Sequence, residues 1–414
     1  MGFAQGVSGL NASASNLDVI GNNIANSGTV GFKSGTAQFS DVYAGSRVGL
    51  GTQVSGVSQN FTSGAVQTSS RALDVAIVNG DGFFRLASPG GEVAYSRNGQ
   101  FNMDKDGFIV NSTGLQLTGY PVGANGSVAG GSPAPLQLPT TAMQPNPTQN
   151  IAAQFNLDSR SLTPTATPFD AANSTTYNYA NAVTVFDSLG NSHELSTFFV
   201  KTASNSWEAY ATADGKPLAS GGALATVPPA APVAGPQGAL TFDTNGNLTS
   251  APSIAFTGLN FGNGSGPMAF AVNVTGTTQF GNVNDVKKLT QDGFTSGTLT
   301  SFAINQDGTV TGKYSNEQAK ALGQIVLSSF VNPNGLQPKG DNVWAETSAS
   351  GQPLTGTPGA GTKMGALTSG ALEASNVDLT SELVNLIIAQ RTYQANAQTV
   401  KTQDQVMQTL VNMR

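Results

Sequence analysis

The sequence predicts a mainly β protein with an α-helix at each end, and three observations lead to this prediction. Glycine accounts for 50 of the 414 residues and charged residues for only 10%, a composition typical of turn-rich β-structure with neutral surfaces. Short alternating runs separated by Asp-Gly or Asn-Gly pairs recur through the middle of the chain. Apolar residues at heptad spacing occupy both ends. We therefore expect two or more β-domains in series, the outer inserted in the inner, plus an N- and C-terminal α-helical coiled-coil region.

The first segment predicts an amphipathic helix that ends near Asn26–Gly28. Ala14 and Gly21 fill the gaps in a 4-3 stripe, typical of a coiled-coil seam, whose larger members are Phe3, Val7, Leu10, Leu17 and Ile24. The helix is intrinsically weak, because each internal glycine costs about 1 kcal/mol relative to alanine. Its other face carries little charge. These features favour packing against copies of the same chain, although an ordinary core or an intramolecular hairpin of the two helices also fits.

The last segment predicts one long helix that continues to near the end of the sequence. Asp378, alone or with Ser375, can cap its start, and no proline or glycine follows Gly370. Gln390 and Asp404 interrupt its apolar stripe. The stripe comprises Leu379, Leu383, Leu386, Tyr393 and Val400, continued by Ala397, Met407 and Val411. The predicted assembly seam combines residues of both helices, namely Phe3, Val7, Leu10, Leu17 and Ile24 of the first and Leu379, Leu383, Leu386, Tyr393 and Val400 of the last.

The region between the helices is predicted to be β-structure. Residues 101–111, 240–250 and 302–312 each contain a short run, an Asp-Gly or Asn-Gly turn and a second run, which is the strongest local signal for a hairpin. Residues 183–201 predict a further hairpin with a longer turn, and residues 73–86 predict two strands joined by a Gly-rich turn. Their irregular spacing argues against a repeat array.

Stretches rich in proline and glycine divide this β region. Residues 135–150, 227–238 and 351–365 lack a hydrophobic period and are best explained as loops. We expect one β-domain to be inserted into another, with the two ends of the chain brought together. The predicted boundaries are a terminal helical assembly region at 1–28 and 372–414, a connecting region at 29–71, an inner β-domain at 72–144 and 286–371, and an inserted outer β-domain at 145–285.

Composition and charge exclude several classes of function. A net charge of −6 argues against nucleic-acid binding, which needs a basic face. No apolar run is long enough to cross a membrane. The first basic residue is Lys33, so the N-terminus lacks the basic region of a Sec-type signal. Without cysteine and with a single histidine, a zinc site is almost excluded. We expect no metal, no cofactor and no membrane insertion.

Local patterns that suggest chemistry have simpler structural explanations. His193, the single histidine, follows a turn in a strand pattern and is expected to be an exposed strand residue rather than a catalytic base. The run that begins at Asp104 starts like a calcium loop, but the twelfth position is Leu115 instead of glutamate, so a hairpin turn is expected. The glycines around Asp81 lack the spacing of a phosphate-binding loop. Since no carboxylate pair stands out for acid–base work, we expect no enzyme activity.

Both ends of the chain resemble one protein family. The run GNNIANSGTVGFK, within residues 16–35, is similar to the N-terminal signature of the bacterial flagellar axial proteins, a family of rod, hook and hook-associated subunits. Residues 371–405 are similar to the C-terminal signature of that family. The signature positions in this chain are Asn22, Asn23, Asn26, Gly31 and Phe32. Further matches lie within the predicted inner β-domain at 73–86, 95–101 and 117–121, and the resemblance thins across roughly 145–285.

Length and layout narrow this resemblance to the hook subunits of the family. Rod subunits have little or no insertion between the central β motifs, whereas this chain has a whole predicted domain there. The resemblance implies a homopolymer, namely a curved hollow tube that acts as a universal joint and transmits motor torque from rod to filament. It also implies export through the flagellar type III apparatus without a cleaved signal, a place in the extracellular hook and basal body, and contacts with rod, hook-cap and hook-associated proteins. A distal rod or other axial subunit and, from another class, a secreted β-rich adhesin are the alternatives.

Overall fold

The computed structural model describes residues 2–42, 49–123, 126–128, 130–224, 234–359 and 363–412. Helix α1 (Gly2–Ala25) and helix α2 (Leu379–Asn412) lie at the two ends of the chain, and the regular structure between them is mainly β. The predicted fold class is thereby confirmed. The chain divides into an inner unit, made of Met1–Thr140, Thr300–Lys313 and Ala319–Arg414, and an outer unit, made of Thr141–Leu299 and Tyr314–Gln318.

The strands before the outer unit are short. They are β1 (Gly35–Asp41), β2 (Thr52–Gln59), β3 (Val66–Thr68), β4 (Val75–Val78), β5 (Phe83–Ala87), β6 (Val93–Ser96), β7 (Asn102–Met103), β8 (Ile109–Val110), β9 (Gln116–Pro121) and β10 (Ala134–Pro135). The antiparallel pair β1–β2 falls in the segment 29–71 that the sequence assigned to a connecting region. Within that segment, residues 35–41 and 52–59 therefore form regular β-structure.

The strands of the outer unit follow in chain order. They are β11 (Asn150–Asn156), β12 (Tyr179–Phe186), β13 (Ser192–Ala203), β14 (Ser206–Ala213), β15 (Lys216–Pro217), β16 (Gly238–Thr241), β17 (Ser253–Leu259), β18 (Met268–Asn273) and β19 (Asp285–Gln291). A single 3₁₀ turn at Ser174–Thr176 precedes β12.

The chain then returns to the inner unit. The strands of this return are β20 (Leu299–Ile304), β21 (Thr309–Tyr314), β22 (Ala319–Ile325), β23 (Leu327–Ser329), β24 (Gln337–Gly340), β25 (Val343–Ala345), β26 (Leu354–Gly356), β27 (Ala366–Ser369) and β28 (Ala371–Glu373). A 3₁₀ turn at Pro333–Gly335 lies between β23 and β24.

One large sheet dominates the inner unit. Its strands follow the order β20-β21-β22-β9-β5-β6-β25-β24, and the separate pairs β4–β27 and β3–β28 join early strands to late ones. The side chains of its core have no exposed surface at Phe84, Leu86, Leu117, Ile325 and Leu367. Because β9, before the outer unit, pairs with β22, after it, the inner fold is continuous across the insertion.

The outer unit is built from two sheets that share one core. The orders are β17-β18-β11-β19 and β12-β13-β14-β15, with β16 also on β14. Phe155, Phe199, Trp207 and Phe256 fill the space between them and are at most 2% exposed. Strand β11 enters the unit beside β19, which leaves it, with Ile151 opposite Gln291. The two ends of the insertion therefore lie together, and the predicted segment 145–285 falls within this unit.

The Asp-Gly and Asn-Gly turns form as predicted. The Asp104 carboxylate accepts hydrogen bonds from the main-chain N–H groups of Asp106 and Phe108, and Gly107 takes the left-handed conformation at φ 87°. Asp243 holds the second turn in the same way. The start of the apparent calcium loop is therefore occupied by its own main chain, as expected of a hairpin turn.

Candidate assembly interface

The two terminal helices pack against each other as an antiparallel pair. Gly6 of α1 lies beside Val400 of α2, and near the other end Asn23 lies beside Glu382. A Cβ atom at Gly6 would come within 2.8 Å of Val400 Cγ2, so a larger residue there would push α2 away. The face of α1 that α2 covers is buried and consists mostly of small or polar residues, namely Gly6, Gly9, Ser13, Ile20 and Asn23.

The opposing face of α2 repeats in alternating steps of four and three residues. Ala389 at its centre is 4% exposed. The polar contacts across the pair are long, with Asn396 Nδ2 at 3.4 Å from Ser13 Oγ and Asn23 Nδ2 at 3.4 Å from Glu382 Oε1. The residues of this α1-facing stripe that are at least partly buried are Glu382, Leu386, Ala389, Asn396, Val400 and Gln403, and Tyr393, which completes the spacing between Ala389 and Asn396, is 40% exposed.

The predicted seam of α1 is not the surface that contacts α2. Val7 follows the buried Gly6 by one residue, as Leu10 follows Gly9 and Ile24 follows Asn23. One residue is about 100° of rotation at roughly 3.6 residues per turn, so the predicted stripe lies beside the covered one. Phe3 is 49% exposed, whereas the other predicted members, which include Leu17, are partly buried.

The predicted seam residues of α2 lie in two different environments, some facing α1 and others exposed. Leu386, Tyr393 and Val400 lie on the α1-facing stripe, although Tyr393 is 40% exposed, whereas Leu379 and Leu383 are each 45% exposed. The structure thus does not join the two predicted stripes within one chain. Part of their apolar surface stays exposed, and its role in contacts between copies stays a prediction.

A groove runs between α1, α2 and the β1–β2 hairpin. The hairpin is attached to α1 by Gln5 Nε2, which donates to the carbonyl of Gly49 at 2.6 Å, and by Ser8 Oγ, which accepts from the N–H of Thr52 at 3.3 Å. The groove has a volume of about 670 Å³, and both helices and both strands line it. Periodicity did not predict it, because a groove depends on how far apart three elements are held.

The family signature forms the turn that leads from α1 to the hairpin. Asn23 pairs with the main chain of Gly35 in both directions, at 2.8 and 2.9 Å. Asn26 Nδ2 donates to the carbonyl and side-chain oxygens of Asn22, both at 2.9 Å, and thereby closes the end of the helix. Phe32 follows this turn and is partly buried. The hydrogen bonds of Asn23 to Gly35 and of Asn26 to Asn22 are local, which explains why one short motif contains these residues.

Gly31 is the signature position with the strictest steric requirement. Its φ is 70°, and its N–H donates to the carbonyl of Glu373 at 2.8 Å. A Cβ atom at this position would lie 2.7 Å from the main-chain nitrogen of Asn98 and 2.8 Å from the carbonyl carbon of Arg97. Neither backbone atom can move away cheaply, so glycine is required.

Gly31→Ala is expected to destabilise the inner unit by about 2–3 kcal/mol, because it combines a left-handed conformation with a backbone clash. Gly28→Ala is the matched control, since a Cβ atom at Gly28 meets nothing within 4 Å. Denaturant unfolding of the two variants checks the difference. Equal stabilities would show that the Gly31 turn adapts to a side chain.

A buried ionic triad lies next to this turn. Lys33 Nζ is 2.6 Å from Glu373 Oε1, and Arg97 Nη1 is 3.3 Å from Glu373 Oε2, with all three side chains at most 1% exposed. Burial lowers the pKa values of Lys33 and Arg97, and the charge of Glu373 opposes this effect. Further hydrogen bonds join Lys33 Nζ to the carbonyl of Thr62 and the N–H of Gly64 to Glu373. The triad connects the segment after α1, the large sheet and the strand that leads to α2.

The single histidine lies in strand β13 as predicted, but it is buried, so its predicted exposure is wrong. His193 is 8% exposed, and its ring stacks on Phe261 with centroids 3.4 Å apart. Its Nδ1 is 2.7 Å from Asp214 Oδ2, and its Nε2 is 3.3 Å from Asp187 Oδ2. The turn before β13 and the loop that contains Phe261 and Asn263 enclose the ring, which strand alternation does not reveal.

Asp187→Asn is expected to destabilise the outer unit by about 1.5–3 kcal/mol at neutral pH, since it weakens several charge-assisted hydrogen bonds. Burial opposes ionisation of this carboxyl, but hydrogen bonds from Asn191, Asn263 and His193 together hold its pKa well below the usual range. A lowered folded-state pKa stabilises fully above the unfolded value of about 3.9, and this contribution disappears as the pH falls through the folded value. The difference from wild type should therefore shrink in acid. Thermal unfolding across pH checks this, with the exposed Asp285→Asn as control.

Within the described ranges, no group of three or more histidine, aspartate or glutamate side chains gathers where it could hold a metal ion. In the same part of the chain, neither helix combines the length and apolarity that a membrane span requires. Exposed large apolar side chains are concentrated along the terminal helices, above all on α2.

Four family models match the chain in order. Residues 5–33 match the flagella basal body rod protein model, and residues 77–152 match the flagellar hook protein FlgE/F/G D1 domain. Residues 156–294 match the flagellar basal body protein FlaE D2 domain, and residues 368–413 match the flagellar basal body rod FlgEFG protein C-terminal model. The matches include both terminal helices and both β units.

Relatives with known names align over essentially the whole chain. The flagellar hook protein FlgE of Escherichia coli strain K12 is 50% identical, and that of Salmonella typhimurium strain LT2 is 49% identical, each with full coverage of both chains. That of Borreliella burgdorferi is 33% identical over 99% of this chain and 98% of its own. The crystal structure of Helicobacter pylori flagellar hook protein FlgE2 shares the fold, with a TM-score of 0.53 at 14% identity over 74% of this chain and all of that one. The chain therefore belongs to the flagellar hook protein family.

Proposed function

We propose that this chain is the structural subunit of the flagellar hook and that it polymerises into a curved hollow tube. The full-length likeness to proteins named flagellar hook protein supports this proposal most strongly. The terminal helices then supply contacts between copies, and the inner and outer units form the wall. The role is structural rather than enzymatic, and the tube acts as a universal joint that passes torque from rod to filament.

Uncovered apolar surface along the helices supports assembly through them. On α2, five large apolar side chains between 379 and 388 are 45–57% exposed, namely Leu379, Leu383, Val384, Ile387 and Ile388. Because each is already about half buried, covering the rest would contribute roughly 0.7–1.5 kcal/mol per side chain, about half of the value for burial from full exposure. The predicted seam residues of both helices belong to this surface or lie beside it, and we propose that neighbouring copies cover them.

The partners and the location follow from the same role. We propose contacts with rod, hook-cap and hook-associated proteins at the two ends of the tube, and export by the flagellar type III apparatus without a cleaved signal. The place of action is the extracellular hook next to the basal body. We expect the outer units of neighbouring copies to touch through uncharged surfaces. Such contacts let the outer units slide as the tube bends, whereas ion pairs between them would add little stability and would favour one relative position.

Electron microscopy of the concentrated chain tests the proposal. Curved, ordered tubes are expected. Straight and rigid tubes would instead indicate a rod subunit, and a monodisperse monomer at every concentration and salt would indicate a binding protein or adhesin. Because these outcomes differ in form, one experiment separates the classes.

Replacing residues 144–296 with a short Gly/Ser linker is expected to preserve tube formation and to alter curvature. Met143 and Gly297 exchange main-chain hydrogen bonds of 2.7 and 3.2 Å, so a short turn can join them. The inner core contains no residue of the removed segment. Circular dichroism and electron microscopy of the shortened chain check this. An unfolded remainder would show that the inner unit depends on the outer one.

A further inference from the structure

Helix α2 is longer than the part of it that α1 covers. Val400 lies beside Gly6, and the described part of α1 begins at Gly2. In an antiparallel pair, the residues of α2 after about Asp404 therefore have no α1 residue opposite them. Residues 405–412, which we name the α2 overhang, extend roughly 12 Å further at about 1.5 Å per residue.

The α1-facing stripe of α2 continues into this overhang. Met407 and Val411 follow Val400 by seven and eleven residues, close to two and three helical turns, so they lie on the same face of α2 as Val400. These two side chains are 59% and 72% exposed, whereas Val400 is partly buried. The overhang thus presents the same face that packs on α1, with two apolar side chains that are exposed in the described structure.

The groove between α1, α2 and the β1–β2 hairpin has a complementary surface. Phe39 on the hairpin and Ile388 on α2 form apolar rims and are 47% and 57% exposed. The floor is closely packed and consists largely of small side chains, with Ala12, Ala37 and Ala389 at 4–8% exposure. Small floor residues allow a helix to approach closely, and exposed rims can close over its apolar side chains.

The overhang and the groove both carry few ionisable groups. Residues 405–412 read QVMQTLVN and contain no ionisable side chain. Among the described residues that line the groove, Glu382 is the ionisable one, and it lies on the α1-facing stripe. Seating the overhang in the groove therefore desolvates few charges, which is the main cost that opposes burial of a polar surface.

We propose that the α2 overhang of one copy seats in the groove of a second copy, with Met407 and Val411 between Phe39 and Ile388. This inference deepens the proposed hook function and rests on it. Overhang and groove are different surfaces of the chain, so the contact is head-to-tail. A contact of that kind builds an open helical polymer unless its rotation closes a ring.

Charge substitution tests the overhang. Met407→Asp should raise the concentration required for polymerisation at least tenfold, because it places a charge between the apolar rims Phe39 and Ile388 and adds a second carboxylate to a groove that already contains Glu382. Thr409→Asp, with the same charge on another face of the same helix turn, should polymerise like wild type. Circular dichroism should show the same folded content in both variants. Wild-type assembly by Met407→Asp would overturn the inference.

Cross-linking tests the contact directly, since the sequence contains no cysteine. After assembly and oxidation, a chain with both Phe39→Cys and Met407→Cys should give a ladder of covalent multimers. Each single variant can give a dimer at most, and a bond within one chain would leave a monomer. Tubes of the double variant without a ladder would refute this contact and leave the hook function intact. Absence of tubes from wild type would instead refute the proposed function.

Discussion

Glu373→Ala is expected to lower the free energy of unfolding of the inner unit by about 3–5 kcal/mol, the cost of leaving buried charges without a partner. Lys33 and Arg97 are both cationic, their side chains are at most 1% exposed, and Glu373 lies between them. Its removal leaves two like charges in a dry site. Urea unfolding followed by the fluorescence of Trp344, in a Trp207→Phe background, reports the inner unit.

Glu92→Ala is the matched control for this substitution. Glu92 pairs with Lys339 at the surface, and the two side chains are 65% and 44% exposed. Exposed pairs contribute about 0–1 kcal/mol, so this variant should unfold almost like wild type. If Glu373→Ala were no less stable than Glu92→Ala, the triad would not hold the junction together.

Leu386→Asp is expected to abolish tube formation while both β units stay folded. Leu386 lies on the α1-facing stripe, where burial of a leucine stabilises by about 1.5–3 kcal/mol and an unpaired charge costs several more. Leu17→Asp, on the predicted stripe of α1, is expected to have the same effect. The β units have separate cores that contain neither residue, so their unfolding transitions should be unchanged.

Electron microscopy and a motility assay measure the loss of assembly. Thr402→Asp is the control, since Thr402 is exposed on α2 and lies away from the α1-facing stripe. It should form tubes at wild-type concentration. Motile cells that carry Leu386→Asp or Leu17→Asp would contradict the proposed seam.

Local features were predictable from sequence because their partners are close in the chain. The Asp378 cap is one example: its carboxylate accepts from the N–H groups of Thr380 and Ser381, and these hydrogen bonds hold its pKa below the usual range. The hairpin turn at Asp104 and the end of α1 near Asn26 are others. Each depends on residues within about four positions, where composition and spacing are informative.

The contact face of α1 illustrates where periodicity is ambiguous. A hydrophobic stripe selects the larger side chains, and it predicted Val7 and Leu10. The pair of helices instead meets at Gly6 and Gly9, since absence of a side chain brings the two axes closer. The pattern therefore identified a helix that packs on more than one side, but it could not assign each side to its partner.

The sequence by itself determined the terminal helices, their caps, the hairpin turns, the mainly β interior and the family, because those properties depend on neighbouring residues or on short motifs. Only the tertiary structure decided the rest. It placed Glu373 against Lys33 from 340 positions away, enclosed His193 between two aspartates, and opened a groove between α1, α2 and the β1–β2 hairpin. The physical reason is that burial and ion pairing depend on distances in space. Between residues far apart in the chain, the fold sets those distances, and local sequence patterns do not specify them.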